Sequence, residues 1–294
     1  MIAGCWKYVS TALFLAMTCP QTVVALTITP DKPKTASISL GAEFASGTYG
    51  SDTTTRSVYM PLIVTWSPND RFDVGIEVPY IYQSSSRATT SLFNNNLSSA
   101  TAVSAAQGGP AGNGAARQQQ QPRFSLASGS SSSAVSGVGD IIMRLGVIAL
   151  AGSASVPQVR PSLYVKFPTA KASDGLGTGE FDGGIGLDAN KWFGNLHLTG
   201  ETLYTWQGKV DGLGLKNYLS YTAGIGYLLM ESVEPMFIVK GATAPSDYAG
   251  ALLEARARLV WSVTASTALD LYGSRGIADS SPDYGGGLSV VYSF

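Results

Sequence analysis

Scarcity narrows the chemistry of this chain. Only two cysteines occur in 294 residues, Cys5 and Cys19, and both precede Ala25. Beyond that point there is no thiol for a disulfide framework, a thiolate metal site or a cysteine nucleophile. His197 is the one histidine, so multi-histidine metal centres and paired imidazoles are excluded. Charge is also sparse and even, with 19 Lys and Arg against 20 Asp and Glu. Such a balance exerts no general pull on nucleic acid or anionic surfaces. After the first 25 residues no stretch stays apolar for the roughly 18 positions that a membrane-crossing helix needs. We assign no catalytic residue, no metal and no cofactor, and expect neither an enzyme nor a nucleic-acid partner.

The N-terminus is the exception to that polarity. Lys7 is the only charge before Asp31, and an apolar run from Val9 to about Ala25 follows it. Pro20 and Gln21 interrupt the run, and Val23-Val24-Ala25 supplies small residues for cleavage. Residues 1–25 therefore read as a secretory signal peptide, leaving 26–294 as one domain. Cys19, between Thr18 and Pro20, fits a lipoprotein processing site poorly.

From residue 37 onward the dominant pattern has period two. Ile38, Leu40, Ala42 and Phe44 alternate with Ser37, Ser39, Gly41 and Glu43, and Phe72 to Tyr82 repeats the pattern against Asp73, Gly75 and Glu77. The spacing predicts about twelve strands, near 37–46, 56–66, 71–83, 139–150, 157–168, 180–193, 195–206, 216–229, 233–243, 248–262, 265–275 and 284–294. Runs this long suit tilted bilayer-crossing strands better than the shorter strands of a soluble sandwich. Connections alternate long and short, as extracellular loops and periplasmic turns do in such barrels. Tyr and Trp fall at both strand ends, the places of two interfacial belts. The last strand alternates to Phe294 and looks like the closing strand of a bacterial outer-membrane barrel, where a terminal Phe signals to the barrel-assembly machinery. The expected fold is all-β, an antiparallel transmembrane β-barrel in the bacterial outer membrane, with outer-membrane lipid as a partner. Pro61, Pro79 and Pro161 fall inside predicted strands, and each removes a ladder donor, so bulges or bends are expected there. Residues 84–138 form a long low-complexity extracellular loop, rich in Ser, Asn and Gln, either solvated or folded inward to narrow the mouth.

Parity then selects the inward face, where a barrel's function resides. The lumen-lining candidates are Glu43, Glu77, Asp140, Arg144, Arg160, Lys166, Asp182, Glu201, Lys240, Glu254, Arg256, Arg258 and Asp270. Parity places Arg71, Asp73, Glu180, Asp188 and Glu234 inward as well. The two signs are close to balanced, which indicates no strong ion preference. The same residues could instead brace the wall through salt bridges. His197 faces inward with Thr199 and Glu201, away from the lipid-facing surface that a barrel-embedded lipid hydrolase would use. Gly175 to Gly179 is followed by an alternating strand rather than a helix, so it reads as a turn and not as a phosphate cradle.

Three segments carry a resemblance. Ser136-Gly137-Val138-Gly139-Asp140, Lys166-Phe167-Pro168-Thr169 and Gly175-Leu176-Gly177-Thr178-Gly179-Glu180-Phe181-Asp182 resemble the outer-membrane family known as MetA-pathway of phenol degradation, or simply transporter. The likeness is clearest over 136–294. It implies a twelve-stranded barrel that passes small, often aromatic, organic compounds. Ala170 stands where that family commonly has glycine. The leading expectation is an outer-membrane channel for passive passage of a small organic solute. The alternatives are a closed structural barrel or adhesin acting through 84–138, and, more remotely, a lipid-modifying barrel enzyme.

Overall fold

The computed structural model describes residues 35–49, 54–84 and 134–294; the expected signal peptide and most of the 84–138 segment lie outside them. Its strands are β1 (Ala36–Gly47), β2 (Thr55–Asn69), β3 (Phe72–Gln83), β4 (Val135–Val138), β5 (Ile141–Val147), β6 (Gln158–Phe167) and β7 (Asp182–Phe193). They continue as β8 (Leu196–Trp206), β9 (Tyr218–Tyr227), β10 (Val233–Ala242), β11 (Leu252–Ser262), β12 (Thr267–Gly276) and β13 (Tyr284–Ser293). Neighbours in the chain pair antiparallel, except that β4 and β5 do not pair with each other and both pair with β3, end to end. The two therefore form one stave of a twelve-stave wall. Pairing of β1 with both β2 and β13 closes the sheet, so neither the first nor the last strand is left as an open edge.

Alternation explains why these segments form staves. In β2 the inward Ser57, Tyr59, Ile63 and Thr65 are buried, while Met60, Leu62, Val64 and Trp66 are exposed on the other face. Lipid accepts the apolar face, and the closed ladder pairs backbone polar groups of adjoining staves. Trp66, Phe193, Tyr227, Trp261, Tyr292 and Phe294 are exposed near one rim, and Tyr80, Tyr82, Tyr204, Trp206, Tyr221 and Tyr284 toward the other. These are the two aromatic belts expected from the sequence.

Of the five prolines inside strands, Pro61, Pro68, Pro79, Pro161 and Pro235, two sit beside one-residue bulges, Pro79 and Pro161. Pro61 lies opposite Pro79, and around it the β1–β2 pairing lapses between Leu40↔Leu62 and Glu43↔Tyr59 but resumes in the same register, so the bulge expected there is not formed. Beside Pro79, the three residues 139–141 oppose only Val78 and Pro79, a bulge that splits the fourth stave into β4 and β5. At Pro161 the β5–β6 ladder stops at Gly146↔Ser162 and resumes as the bridge Leu150↔Val159, another one-residue excess. In a closed wall a missing N–H cannot be turned to an edge, and at Pro79 and Pro161 the partner strand bulges instead.

The seam between first and last strands is bonded from end to end. The Thr35 amide donates to the Phe294 carbonyl at 3.2 Å, and the Phe294 amide to the Ala36 carbonyl at 2.9 Å. Inside, the Tyr272 hydroxyl on β12 donates to Glu43 on β1 at 2.8 Å. It crosses β13 at Gly287, which lies opposite both residues; a Cβ there would stand 2.5 Å from the Tyr272 ring.

Candidate functional site at the inner wall and mouth

All thirteen lumen-lining candidates are buried, and most are held by named partners. Arg144 donates to Glu77 at 2.8 Å, and Glu77 also accepts from the Tyr59 hydroxyl. Arg160 bridges Asp73 and Asp188, the latter at 2.6 Å. Arg258 holds Asp270 through two bonds of 2.8 and 2.6 Å. Arg256 pairs with Glu254 and lies 4.2 Å above the Tyr272 ring. Glu201 and Lys240 belong to a row of directly opposed inward residues, Arg160, Asp188, Glu201, Thr222, Lys240 and Glu254, that runs across six staves. Small residues make room for this network. A Cβ on Gly146 would collide with the Arg160 guanidinium.

Two sequence expectations fail at strand ends. Arg71 is exposed because β3 begins one residue later, after a turn in which Asn69 Oδ1 accepts the Arg71 and Phe72 amides at 2.9 Å. Glu180 is exposed because β7 begins only at Asp182. The expected balance of signs also shifts. Among the described residues ten carboxylates are buried against six Lys and Arg, so the inner wall carries a formal excess of acid.

The three motif segments, far apart in sequence, meet at one place. Lys166 Nζ lies 2.8 Å from Asp182, 3.3 Å from Asp140 and 2.9 Å from Thr178 Oγ1. Asp140 sits in the bulge beside Pro79 and also accepts the Ala170 amide at 3.0 Å; Asp182 accepts the Gly208 amide at 2.9 Å. Thr169 Oγ1 accepts the Ile141 amide at 2.9 Å, at the end of the β5–β6 ladder. The motif residues thus secure the connection between β6 and β7.

That connection folds inward, where sequence reading expected only a turn. A short 3-10 turn (Ala172–Asp174) ends at Gly175 with φ 72°, and Gly179 has φ 76°, a region that glycine enters without strain. Residues 175–178 are buried between them. Leu176 packs against Tyr59 of β2 and Ile81 of β3, which are inward residues on the far side of the β4–β5 stave. Gly177 lies against the lysine's partner, since a Cβ there would stand 2.7 Å from both Asp140 carboxylate oxygens and 2.9 Å from the Ala170 methyl. On the loop's exposed outer edge Lys171 pairs with Asp174 at 3.1 Å, and that bond holds the Asp174 carboxyl below its ordinary range.

The interior is not uniformly polar. Ile142, Tyr164 and Leu203 form one apolar cluster, and Met236, Ile238, Val260 and Ala268 another. At the end near the C-terminus His197 is fully buried, bonded through Nδ1 to Glu234 at 2.6 Å and stacked on Trp192 at 4.2 Å. It is a satisfied interior side chain, away from the lipid face. No sequence signal marked Tyr59, Tyr272 or Trp192 as partners of these charges, because parity gives a side chain's face and not its reach.

Among solved structures the barrel is similar to the COG4313 outer membrane channel from Pseudomonas putida F1. The TM-score is 0.63 at 14% identity, covering 90% of this chain and 96% of that one. It is also similar to the KdgM porin, with a TM-score of 0.50 at 8% identity over 88% and 99% of the two chains. These likenesses establish the fold, that of outer-membrane channels. Among curated proteins none matches the sequence. The model of the family described as "Putative MetA-pathway of phenol degradation" matches residues 90–294, and the chain belongs to that family.

Proposed function

We propose that this outer-membrane channel passes small organic solutes passively, aromatic ones included, and that the 168–181 connection is its gate at the outer mouth. The observation that carries the reading is the Lys166 cluster. A glycine-rich segment enters the barrel and is held there by one ammonium, two carboxylates and a hydroxyl. A purely structural loop would have no need to cross toward Tyr59 and Ile81. Apolar clusters interleaved with ion pairs along the inner wall support a cargo with an apolar body and a polar edge, since each part finds a matching surface. The lumen-lining candidates then serve as the wall that solute meets, and the seam strand ending in Phe294 as the segment that the barrel-assembly machinery takes up.

A second reading, a closed structural barrel, is favoured by the burial and pairing of the same charges. Planar-bilayer recording separates the two. The channel reading expects discrete conductance steps from the refolded full chain, and faster entry of a small phenolic compound into liposomes that contain it. A folded barrel that never conducts and never speeds entry, even with the Lys166 cluster removed, would leave the structural reading in its place.

A further inference from the structure

The outward surface of four neighbouring staves carries a feature separate from the mouth. Arg56 of β2 lies directly opposite Ser46 of β1, Ser46 opposite Tyr284 of β13, and Tyr284 opposite Arg275 of β12. Directly opposed residues share a face of the sheet, and for this row it is the face of Leu40, Leu288 and Leu271, the lipid side; the small Ser46 is covered there, and Arg56, Tyr284 and Arg275 are the members that reach the surface. Both arginines are exposed, and among the described residues neither guanidinium takes part in an ion pair. They stand three strand spacings apart, about 14 Å. The main chain of Arg56 is fixed in place because its amide donates to Ser84 Oγ at 2.9 Å and its carbonyl accepts the Ser84 amide at 2.8 Å.

The surface beneath the row is shaped for an amphiphile. The next outward row reads Val58, Phe44, Gly286 and Gly273. A Cβ on Gly273 would have nothing within 4 Å, so two adjacent staves leave a notch directly below Tyr284 and Arg275. The row of Leu62, Leu40, Val290 and Leu269 lies deeper and is wholly apolar. No outward position of these four staves is acidic. The arginine row is at the strand ends farthest from Phe294, where the long connections are, which is the extracellular side in barrels of this kind.

We propose that this row binds a phosphorylated glycolipid of the outer leaflet, with one phosphate on Arg56 and a second on Arg275. A guanidinium presents paired donors that match phosphate oxygens. Two guanidiniums at this separation suit a headgroup bearing two phosphates better than one carrying a single anion. Tyr284, whose ring lies 6.1 Å from that of Phe44, offers a flat face to the sugar between them, and the glycine notch admits the first methylenes of an acyl chain.

The test uses the full chain refolded in detergent, with barrel folding checked by heat-modifiable gel migration. Binding is measured for a bisphosphorylated diglucosamine lipid, its dephosphorylated form and phosphatidylglycerol. The parent protein is expected to prefer the bisphosphorylated lipid. Arg56→Gln and Arg275→Gln are each expected to weaken that binding about tenfold, and the double variant to lose the preference for phosphate altogether. Arg→Lys at both positions is expected to restore part of it. Unchanged binding in the double Gln variant would overturn the proposal. So would a parent protein that binds phosphatidylglycerol or the dephosphorylated lipid as tightly as the bisphosphorylated one.

Discussion

Replacing Lys166 with methionine should open the outer mouth without dissolving the barrel. Lys166, Asp140 and Asp182 are 8%, 7% and 8% exposed, so removing the ammonium leaves two desolvated carboxylates facing each other. Breaking a buried pair from one side costs about 3–5 kcal/mol. Here each acid keeps one backbone donor, Ala170 for Asp140 and Gly208 for Asp182, which places the penalty near the lower end, about 3 kcal/mol. The twelve-stave ladder does not depend on this cluster, so the strain is relieved by moving 168–181 outward. A change of about 3 kcal/mol shifts the in-to-out ratio of the loop roughly a hundredfold. Two measurements read this shift, single-channel conductance and hydrogen exchange of the amides in 170–180. Conductance and exchange in that segment should both rise, while exchange in the staves stays slow. Combining Lys166→Met with Asp140→Asn and Asp182→Asn removes the repulsion and should return much of the protection. The gate would be refuted if loop exchange and conductance in the single variant matched those of the parent.

Gly177→Val should act in the same direction, because its side chain would occupy the space of the Asp140 carboxylate; added to Lys166→Met it should give little further rise in conductance, as coupled sites do. Arg160→Met strands Asp73 and Asp188 inside the wall and should cost about 3–5 kcal/mol, read as a lower urea midpoint in lipid vesicles, with Asp188→Asn restoring part of it. Tyr272→Phe removes the bond to Glu43 while keeping the ring under Arg256 and should cost about 1.5–3 kcal/mol in the same assay. The excess of buried carboxylates over buried bases should bias permeation toward cations, so a salt gradient across the bilayer should give a cation-selective reversal potential; an anion-selective one would contradict the charge count.

The barrel was legible in the sequence because a closed sheet between lipid and lumen imposes period two on almost every residue, and the inward acids and bases fall on the polar half of that pattern. Parity misleads only where it is carried past a strand end, as with Arg71 at an Asn69-capped turn and Glu180 beside the glycine-rich loop. Pro79 announced an irregularity, but not that the partner stave would split and turn Asp140 toward Lys166. Cross-strand reach was also out of view. Arg160 bonds Asp188 directly opposite on β7 and Asp73 two staves away on β3, and strand stagger decides which acid lies within range. The inward course of 175–178 had no periodic signal, since glycines there supply permitted backbone angles and missing side chains instead of a hydrophobic repeat.

The bond between Tyr272 and Glu43 joins residues 229 positions apart in the chain, and this has a kinetic consequence. Neighbouring staves are hairpins that can zip one after another, whereas the seam between β1 and β13 must bring the two ends of the barrel together, the contact with the largest loop-closure cost. Until it forms, β1 and β13 are open edges able to pair with another copy of the chain. Gly287 removes the one side chain that would keep Tyr272 from Glu43 as the ends approach. The seam therefore sets the tempo of assembly, and the time before it closes is when a nascent barrel is most exposed to mispairing.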